Sequence, residues 1–328
     1  MRRLIILLAG LASAPAAIAN DSTASTAAGG LVLERTDKID MVSEDLSVSA
    51  KEIRVRYVFR NHSPSDVETI VAFPMPPRDL SEEWGRNLSY PSDFHTAVEG
   101  RPVQSALERK AIVKGQDHTA LLDRLRIPIA PDNIMDATKV MDALPETERS
   151  RLQSLGLAGV EEFSFGAEPM RHHLVPLWTV QDRHWWKQRF PAGRDLNVEH
   201  RYAPGAGSSV DTLLASEYVK ADDPDRLAMI ERYCIDKDFL AAAERLRRPN
   251  IVLPPTWIDY ILTTGANWRS PIGSFRLVVD KGKPGNLVSF CETGVKKIGP
   301  TQFEVRHENW RPTRDLHVLI LEPVKYGP

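Results

Sequence analysis

The stretch EIRVRYVFRN, residues 52–61, alternates between apolar and polar side chains at most of its positions. Ile53, Val55, Tyr57 and Phe59 fall on one face, and three arginines fall on the other. A period of two residues is typical of a β-strand with one face buried and one face in water. The sequence therefore predicts a half-buried strand here, whose apolar face contributes to the protein core.

Residues 194–202, RDLNVEHRY, show the same alternation much later in the chain. Leu196, Val198, His200 and Tyr202 share one face. Because His200 lies among apolar neighbours, we expect it in the interior with a hydrogen-bond partner. The alternatives are a functional histidine and a surface histidine.

Strand patterns occur in runs rather than in strict alternation with helices, which favours antiparallel sheets. The predicted fold class is mainly β with helical insertions, an antiparallel β-sandwich architecture of two packed β-rich units. The predicted division of the chain is a signal peptide at 1–19, a flexible leader at 20–30, an N-terminal β-sandwich at 31–205 with a helical insertion at about 117–159, and a helical segment plus C-terminal β-rich unit at 206–328.

The first residues have the composition of a secretory signal peptide. Arg2 and Arg3 precede a short apolar run, and Ala17-Ile18-Ala19 fits the small-x-small rule of signal peptidase. No later run approaches the eighteen apolar residues of a membrane span, so no transmembrane segment is expected in the mature chain. We therefore expect a bacterial protein that is periplasmic or secreted after cleavage near Ala19.

Charge and cysteine content narrow the possible partners and the compartment. The chain has 42 Lys and Arg against 44 Asp and Glu, a formal net charge of −2, and this balance gives no reason to expect nucleic acid as a partner. The two cysteines are Cys234 and Cys291. In an exported protein such a pair favours a disulfide; the alternative is two buried free thiols.

Residues 171–202 are rich in histidine and tryptophan. Trp185 and Trp186 are adjacent, so in an extended segment their rings point in opposite directions. The outward ring, beside His184, is the candidate ligand-binding surface, because it could stack on a sugar ring or on a partner protein. The alternative is that the helical insertion at 117–159 covers this ring.

The sequence gives no signature of metal or catalytic chemistry. His172 and His173 are adjacent and cannot easily bind one metal from a strand, and no HExxH motif occurs. Nucleophile elbows, phosphate loops and dinucleotide fingerprints are missing too, so we predict no catalytic residue, no metal and no cofactor. The acidic pair Glu44-Asp45 is interpreted as part of a solvated turn.

Five motifs follow one another along the chain: LVLERTDKIDMVSEDLSVSAKEIRVRYVFRN, AFPMPP, FHTAVEGRPV, WKQRFPAGRDLNVEHRYAPG and GANWRSPIGSFRLVVDKGKPGNLVSFCETGVKKIGPTQFE. Together they resemble a bacterial exported family that is catalogued as domain of unknown function 4424. The resemblance covers nearly the whole chain after the signal peptide, and it implies no catalytic residue.

A second resemblance, at the level of the fold, is to the vault/inter-alpha-trypsin domain, a β-sandwich. It is carried by Phe73-Pro74-Met75-Pro76, by a hairpin at 98–103 and by the late strand at 198–202. That resemblance implies an interaction module rather than an enzyme.

The combined expectation is an exported, non-catalytic binding or scaffold module of the cell envelope. Its partner would be an envelope protein or a glycan. The alternative is an envelope hydrolase that acts on glycan or peptide, with a site assembled from scattered residues.

Overall fold

The computed structural model describes residues 21–27, 30–82, 87–88, 90–166, 169–216 and 218–325. The predicted signal peptide lies outside these residues. The strands are β1 (Ser22–Ala27), β2 (Gly30–Glu34), β3 (Ile39–Ser49), β4 (Ile53–Asn61), β5 (Val67–Pro74), β6 (Arg78–Asp79), β7 (Asn87–Leu88), β8 (Ser92–Val98), β9 (Arg101–Val103), β10 (Ala106–Val113), β11 (Gln116–Asp117), β12 (Ala158–Phe163), β13 (Arg171–Pro176), β14 (Thr179–Phe190), β15 (Asp195–Ala203), β16 (Ala206–Ser208), β17 (Ile251–Val252), β18 (Pro255–Tyr260), β19 (Ile272–Asp280), β20 (Leu287–Phe290), β21 (Lys296–Lys297), β22 (Gln302–Trp310), β23 (Leu316–Leu321) and β24 (Val324–Lys325).

The α-helices are α1 (Thr119–Arg124), α2 (Ile134–Asp142), α3 (Glu146–Ser154), α4 (Pro224–Arg232) and α5 (Lys237–Leu246), and short 3-10 helices span Leu80–Glu82 and Thr263–Asn267. None of the helices in the described ranges combines the length and the apolar character that crossing a bilayer requires.

Three sheets form the framework of the protein. Sheet I has the strand order β21-β22-β19-β3-β4-β15-β8-β9, sheet II has the order β11-β10-β14-β5-β1-β2 with β6 on β14, and sheet III has the order β20-β23-β18-β16-β7. The pairing is antiparallel throughout these sheets except between β3 and β19, which run parallel. The predicted fold class, mainly β with antiparallel sheets packed together and helical insertions, is confirmed.

The main core lies between sheet I and the inner faces of sheets II and III. Ile53, Val55, Tyr57 and Phe59, the four residues on the predicted inner face of β4, are all buried, as the period of two predicts. Sheet II contributes Phe73 and Trp186 to this core, and sheet III contributes Ile258 and Tyr260. The burial of Leu196, Val198, His200 and Tyr202 confirms the predicted register of β15.

Helices cover the outer sides of the framework. Helices α1 to α3 build a second apolar cluster against β10, β13 and β14, around the fully buried Trp178. Helices α4 and α5 build a third cluster on the outer face of sheet III. Asp223 and Asp236 cap α4 and α5 by accepting hydrogen bonds from backbone N–H groups of the first turn, and Pro224 occupies the first helical position of α4.

The two predicted β-rich units share a sheet. Strands β19 and β22 follow residue 205, yet they belong to sheet I, where β19 lies beside β3. The main core likewise draws residues from both sides of this position. Residues before and after the predicted boundary at 205 therefore belong to the same sheet and to the same core.

Within the leader predicted as flexible over residues 20–30, Ser22–Ala27 form strand β1. Asp21 and Ser22 are fully buried, and β1 pairs with both β2 and β5. Serine, threonine and alanine give little apolar alternation, so the pattern hid this strand. Small side chains nevertheless let β1 and β2 form a hairpin that packs on sheet II.

Candidate functional site

The adjacent tryptophans face opposite sides of sheet II. Trp186 is 3% exposed and lies in the main core, where its Nε1 donates to Gln188 Oε1 over 3.2 Å. Trp185 is half-buried on the outer face and packs against Ala24 and Leu31 of the β1–β2 hairpin. The cover over this ring is thus the hairpin, not the helical insertion at 117–159.

His184 lies on the inner face, away from Trp185. Its ring stacks on Phe94 with a centroid separation of 4.0 Å. Burial lowers the pKa of His184 to about 4, so the ring is neutral at neutral pH. His184, Trp185 and Trp186 therefore do not combine into one ligand-binding surface.

His200 belongs to a fully buried hydrogen-bonded array. Its Nε2 lies 3.1 Å from both carboxylate oxygens of Asp21, and its Nδ1 lies 3.0 Å from Thr96 Oγ1. Asp21 and His200 are 0% exposed and Thr96 is 4% exposed. Burial raises the pKa of Asp21, and the charge and hydrogen bond of His200 oppose that rise. The array resembles a hydroxyl–imidazole–carboxylate triad, but all three of its side chains are buried and bonded to one another, so it links β1, β8 and β15 within the interior.

Glu44 corrects the interpretation of the acidic pair as a solvated turn. It lies in β3 and is 1% exposed, whereas its neighbour Asp45 is on the solvent side and pairs with Arg276. The main core also contains a hydrogen bond of 2.9 Å between the hydroxyls of Tyr57 and Tyr260. The interior between the sheets therefore holds polar groups as well as apolar ones.

The strongest candidate site is a cleft of about 340 Å³ next to the end of α4. It lies where β6, β16, β18 and α4 approach one another, and we call it the α4 cleft. Aromatic rings, prolines, arginines and carboxylates line it together: Pro76, Pro77, Arg78, Asp79, Glu82, Pro91, Tyr202, Gly205, Gly207, Arg232, Tyr233, Trp257 and Asp259. This mixture is typical of small-molecule sites, which combine apolar walls with a few oriented polar groups.

Three polar side chains at one wall of the cleft hold each other in place. Arg232 Nη2 donates to Asp259 Oδ2 over 3.0 Å, and His317 Nδ1 lies 2.6 Å from Asp259 Oδ1. Since a carboxylate only accepts, Nδ1 of His317 carries the proton in this hydrogen bond. Burial raises the pKa of Asp259, but the hydrogen bond from His317 and the charge of Arg232 outweigh it and leave that pKa below its usual value. Asp259 is therefore a carboxylate and not a proton donor.

The opposite wall carries a second oriented guanidinium. Arg78 lies 3.2 Å from the ring centroid of Tyr90, and its Nη2 donates to the carbonyl oxygen of Pro131 over 3.2 Å. Burial lowers the pKa of Arg78 to about 10, so it stays charged at neutral pH. Beside it, Asp79 accepts hydrogen bonds from the backbone N–H and the hydroxyl of Ser81.

Tyr202 and Trp257 supply the aromatic surface of the α4 cleft. Tyr202 is 3% exposed, and its hydroxyl has no hydrogen-bond partner among the described residues. Trp257 is half-buried and is paired across the strands with Gly207. A buried hydroxyl with no partner among the described residues and a partly exposed flat ring therefore lie at the cleft.

A disulfide fixes the position of the Arg232 wall. Cys234 and Cys291 are bonded, so the end of α4 is tied to the segment after β20. Ser289 reinforces this link, because its hydroxyl donates to the carbonyl oxygen of Tyr233 over 2.8 Å. The predicted disulfide is present, and it lies next to the cleft.

Sequence reasoning found the cysteines but missed the cleft. Arg232 looks like an ordinary basic residue at the end of a helix, and Trp257 like an ordinary strand residue. The one local signal was Asp259, a carboxylate two residues after Trp257 on the same face of β18. Among the described residues, no group of three or more His, Cys, Asp or Glu side chains is arranged to hold a metal ion.

The comparison with protein families identifies the chain. The model of the family described as domain of unknown function (DUF4424) matches residues 19–319. The chain belongs to the DUF4424 family. The earlier resemblance to domain of unknown function 4424 is thereby confirmed, whereas the likeness to the vault/inter-alpha-trypsin domain is not borne out.

Two solved structures show a distant likeness to this DUF4424 protein. A Legionella pneumophila protein, provisionally designated as nutrient binding, is 16% identical with a TM-score of 0.47; the match covers 92% of this chain and 70% of that one. An M1 zinc metallopeptidase from Deinococcus radiodurans is 7% identical with a TM-score of 0.26, covering 87% of this chain and 43% of that one. No curated protein matches. At these TM-scores neither structure bears on the activity.

Proposed function

We propose that this DUF4424 protein is an exported, non-catalytic binding module of the bacterial cell envelope, and that the α4 cleft takes a small water-soluble ligand. The observation that carries the proposal is that Tyr202 lines the cleft and that its buried hydroxyl has no hydrogen-bond partner in the part of the chain that the structure describes. An unsatisfied buried polar group costs about 1–3 kcal/mol. A ligand that supplies the missing hydrogen bond recovers that cost on binding.

The export part of the proposal has two supports. Residues 1–19 have the pattern of a signal peptide, and the Cys234–Cys291 disulfide suits an oxidising compartment. Fractionation of the native bacterium, followed by N-terminal sequencing, tests it. We expect the protein in the periplasm or medium with a new N-terminus near Asn20; an uncut chain in the cytoplasm would contradict the proposal.

The binding part is tested by calorimetry with a panel of sugars, amino acids and dipeptides. Trp257→Ala removes an aromatic wall of the α4 cleft and should abolish any binding that the native protein shows. Trp185→Ala is the matched control, because this tryptophan lies on the outer face of sheet II, under the β1–β2 hairpin. Loss of binding in the Trp185 variant alone would place the site on sheet II instead.

The alternative of an envelope hydrolase has less support from the geometry. The hydroxyl–imidazole–carboxylate array at Thr96, His200 and Asp21 is enclosed in the core. Among the described residues that line the α4 cleft there is no serine, threonine or cysteine, and Asp259 is held as a carboxylate. The hydrolase would nevertheless be favoured if the native protein hydrolysed a glycan or a peptide and the Asp259→Asn variant did not.

A further inference from the structure

The charges around the α4 cleft limit the ligand. Among its described lining residues, two arginines, Arg78 and Arg232, stand against three acidic residues, Asp79, Glu82 and Asp259. Arg232 is moreover already paired with Asp259. A phosphorylated or polyanionic ligand would thus meet no excess of positive charge, and its own charge would be desolvated without compensation.

The polar groups of the cleft nevertheless offer hydrogen bonds of both kinds in fixed positions. Arg232 uses Nη2 on Asp259, while its Nε and Nη1 have no partner in the part of the chain that the structure describes. Asp79 is oriented by the two hydrogen bonds that it accepts from Ser81. The cleft therefore offers hydrogen-bond donors and acceptors in fixed positions. A ligand hydroxyl can both donate and accept a hydrogen bond, so hydroxyl groups suit this arrangement.

Tyr202 adds a neutral partner at the buried side of the cleft. Burial raises the pKa of Tyr202, so its hydroxyl keeps its proton over the physiological range. A neutral hydroxyl in an enclosed place pairs well with another neutral polar group, because neither has to lose the solvation of a full charge.

Trp257 supplies the apolar counterpart. Its indole is partly exposed, and the lining also includes Pro76, Pro77 and Pro91. Such a wall suits a compact ligand with one apolar face and polar edges. The C–H face of a pyranose ring, surrounded by equatorial hydroxyls, has this distribution.

We infer that the α4 cleft binds an uncharged saccharide, with the sugar ring on Trp257 and sugar hydroxyls on Tyr202 and Arg232. The inference rests on the proposed function and specifies its ligand class. Asp259 and His317 act as positioning residues, since they hold Arg232 and do not themselves need to touch the sugar.

Calorimetry on the full mature protein with four probes tests the inference. Cellobiose and diacetylchitobiose are neutral disaccharides, cellobionate is similar in size but carries a carboxylate, and Ala-Ala is a zwitterion. We expect at least one neutral disaccharide to bind at least tenfold more tightly than cellobionate and Ala-Ala. Trp257→Ala should weaken its binding at least tenfold.

Tyr202→Phe separates ligand binding from folding. This variant removes the unpaired hydroxyl, so the free protein should be as stable as the native one or more stable, while affinity for the disaccharide falls about fivefold or more. Tyr57→Phe is the control: it breaks the hydrogen bond to Tyr260 inside the core, so stability should fall and affinity should not change.

The possible outcomes distinguish the two proposals. Preferential binding of Ala-Ala or cellobionate that depends on Trp257 would overturn the saccharide inference and leave the proposed binding function standing. Disaccharide binding that is unchanged in both Trp257→Ala and Tyr202→Phe would overturn the assignment of the cleft. Absence of binding by all four probes at millimolar concentration would overturn the inference, and failure of the wider panel as well would overturn the function.

Discussion

His200 Nε2 lies 3.1 Å from the carboxylate of Asp21, and neither side chain is exposed to solvent. The pair joins the start of the β1–β2 hairpin to the centre of sheet I. The backbone carbonyl of Asp21 also accepts a hydrogen bond of 2.8 Å from Trp268 Nε1. The first described residue of the chain is therefore held by two separate parts of the core.

Asp21→Ala should lower the free energy of unfolding by roughly 3–5 kcal/mol, because it leaves His200 buried without its partner. Asp21→Asn should cost less, since an amide oxygen still accepts from Nε2 and no charge has to be buried. Denaturant unfolding measures both variants. The exposed Asp37→Ala should change stability by about 0.5 kcal/mol or less; equal effects of Asp21→Ala and Asp37→Ala would contradict the buried pair.

The two adjacent tryptophans should differ in what their removal costs. Trp186→Ala opens a cavity in the main core and should lower the unfolding free energy by about 3–5 kcal/mol. Trp185→Ala should cost less but should release the β1–β2 hairpin, because this half-buried ring packs against Ala24 and Leu31. Faster amide hydrogen exchange in the hairpin, seen only for the Trp185 variant, is the expected result. Unchanged exchange there would mean that the ring does not hold the hairpin.

His184 should make stability depend on pH. Its pKa is lowered to about 4 in the folded protein, against about 6.5 in an unfolded chain. The unfolded state therefore binds more protons between these values, and stability falls as pH drops from about 6.5 to about 4, by about 3 kcal/mol in total. Denaturation curves across this range should show the loss.

His184→Gln should remove most of this pH dependence, because glutamine does not titrate. His95→Gln is the matched control, since His95 is an exposed residue of β8 and should leave the slope as it is. A slope that survives in the His184 variant would assign the effect to other groups.

Reduction of the Cys234–Cys291 disulfide should destabilise the protein. The bridge spans a sequence separation of 57, for which loop entropy gives a stabilisation of about 4 kcal/mol. Thermal unfolding with and without reductant measures the effect, and Cys234→Ala combined with Cys291→Ala should reproduce it. Two reactive thiols in the unreduced, denatured protein would show that the bridge is absent.

The strands that could be predicted from the sequence are those in which one face consists of large apolar residues. In β4 and β15 the alternation of apolar residues is complete, and the burial of His200 followed from its neighbours alone. The β1–β2 hairpin was hidden because Ser22–Ala27 contains no large apolar residue. The burial of Glu44 was hidden because a local pattern cannot show which polar groups the other sheets bring to it.

The candidate site was not predictable for a different reason. The α4 cleft joins Arg78, Tyr202, Arg232 and Trp257, which come from four separate elements. Each of them has an ordinary local explanation, and only the packing of the three sheets and the end of α4 brings them together. Trp185 and Trp186 were predicted as a site because they are adjacent in sequence. Adjacent residues of a strand point to opposite faces, so the two rings cannot form one surface.

The parallel pairing of β3 and β19 affects the order in which the protein can assemble. Ser43 of β3 is paired with Ser274 of β19, so the middle of sheet I joins segments at the two ends of the chain. Contacts this distant in sequence form late, because the intervening chain has to be closed into a loop first. A chain emerging from a ribosome or a translocation pore thus has β3 as an open edge until β19 appears, and this edge is where a chaperone would be needed most.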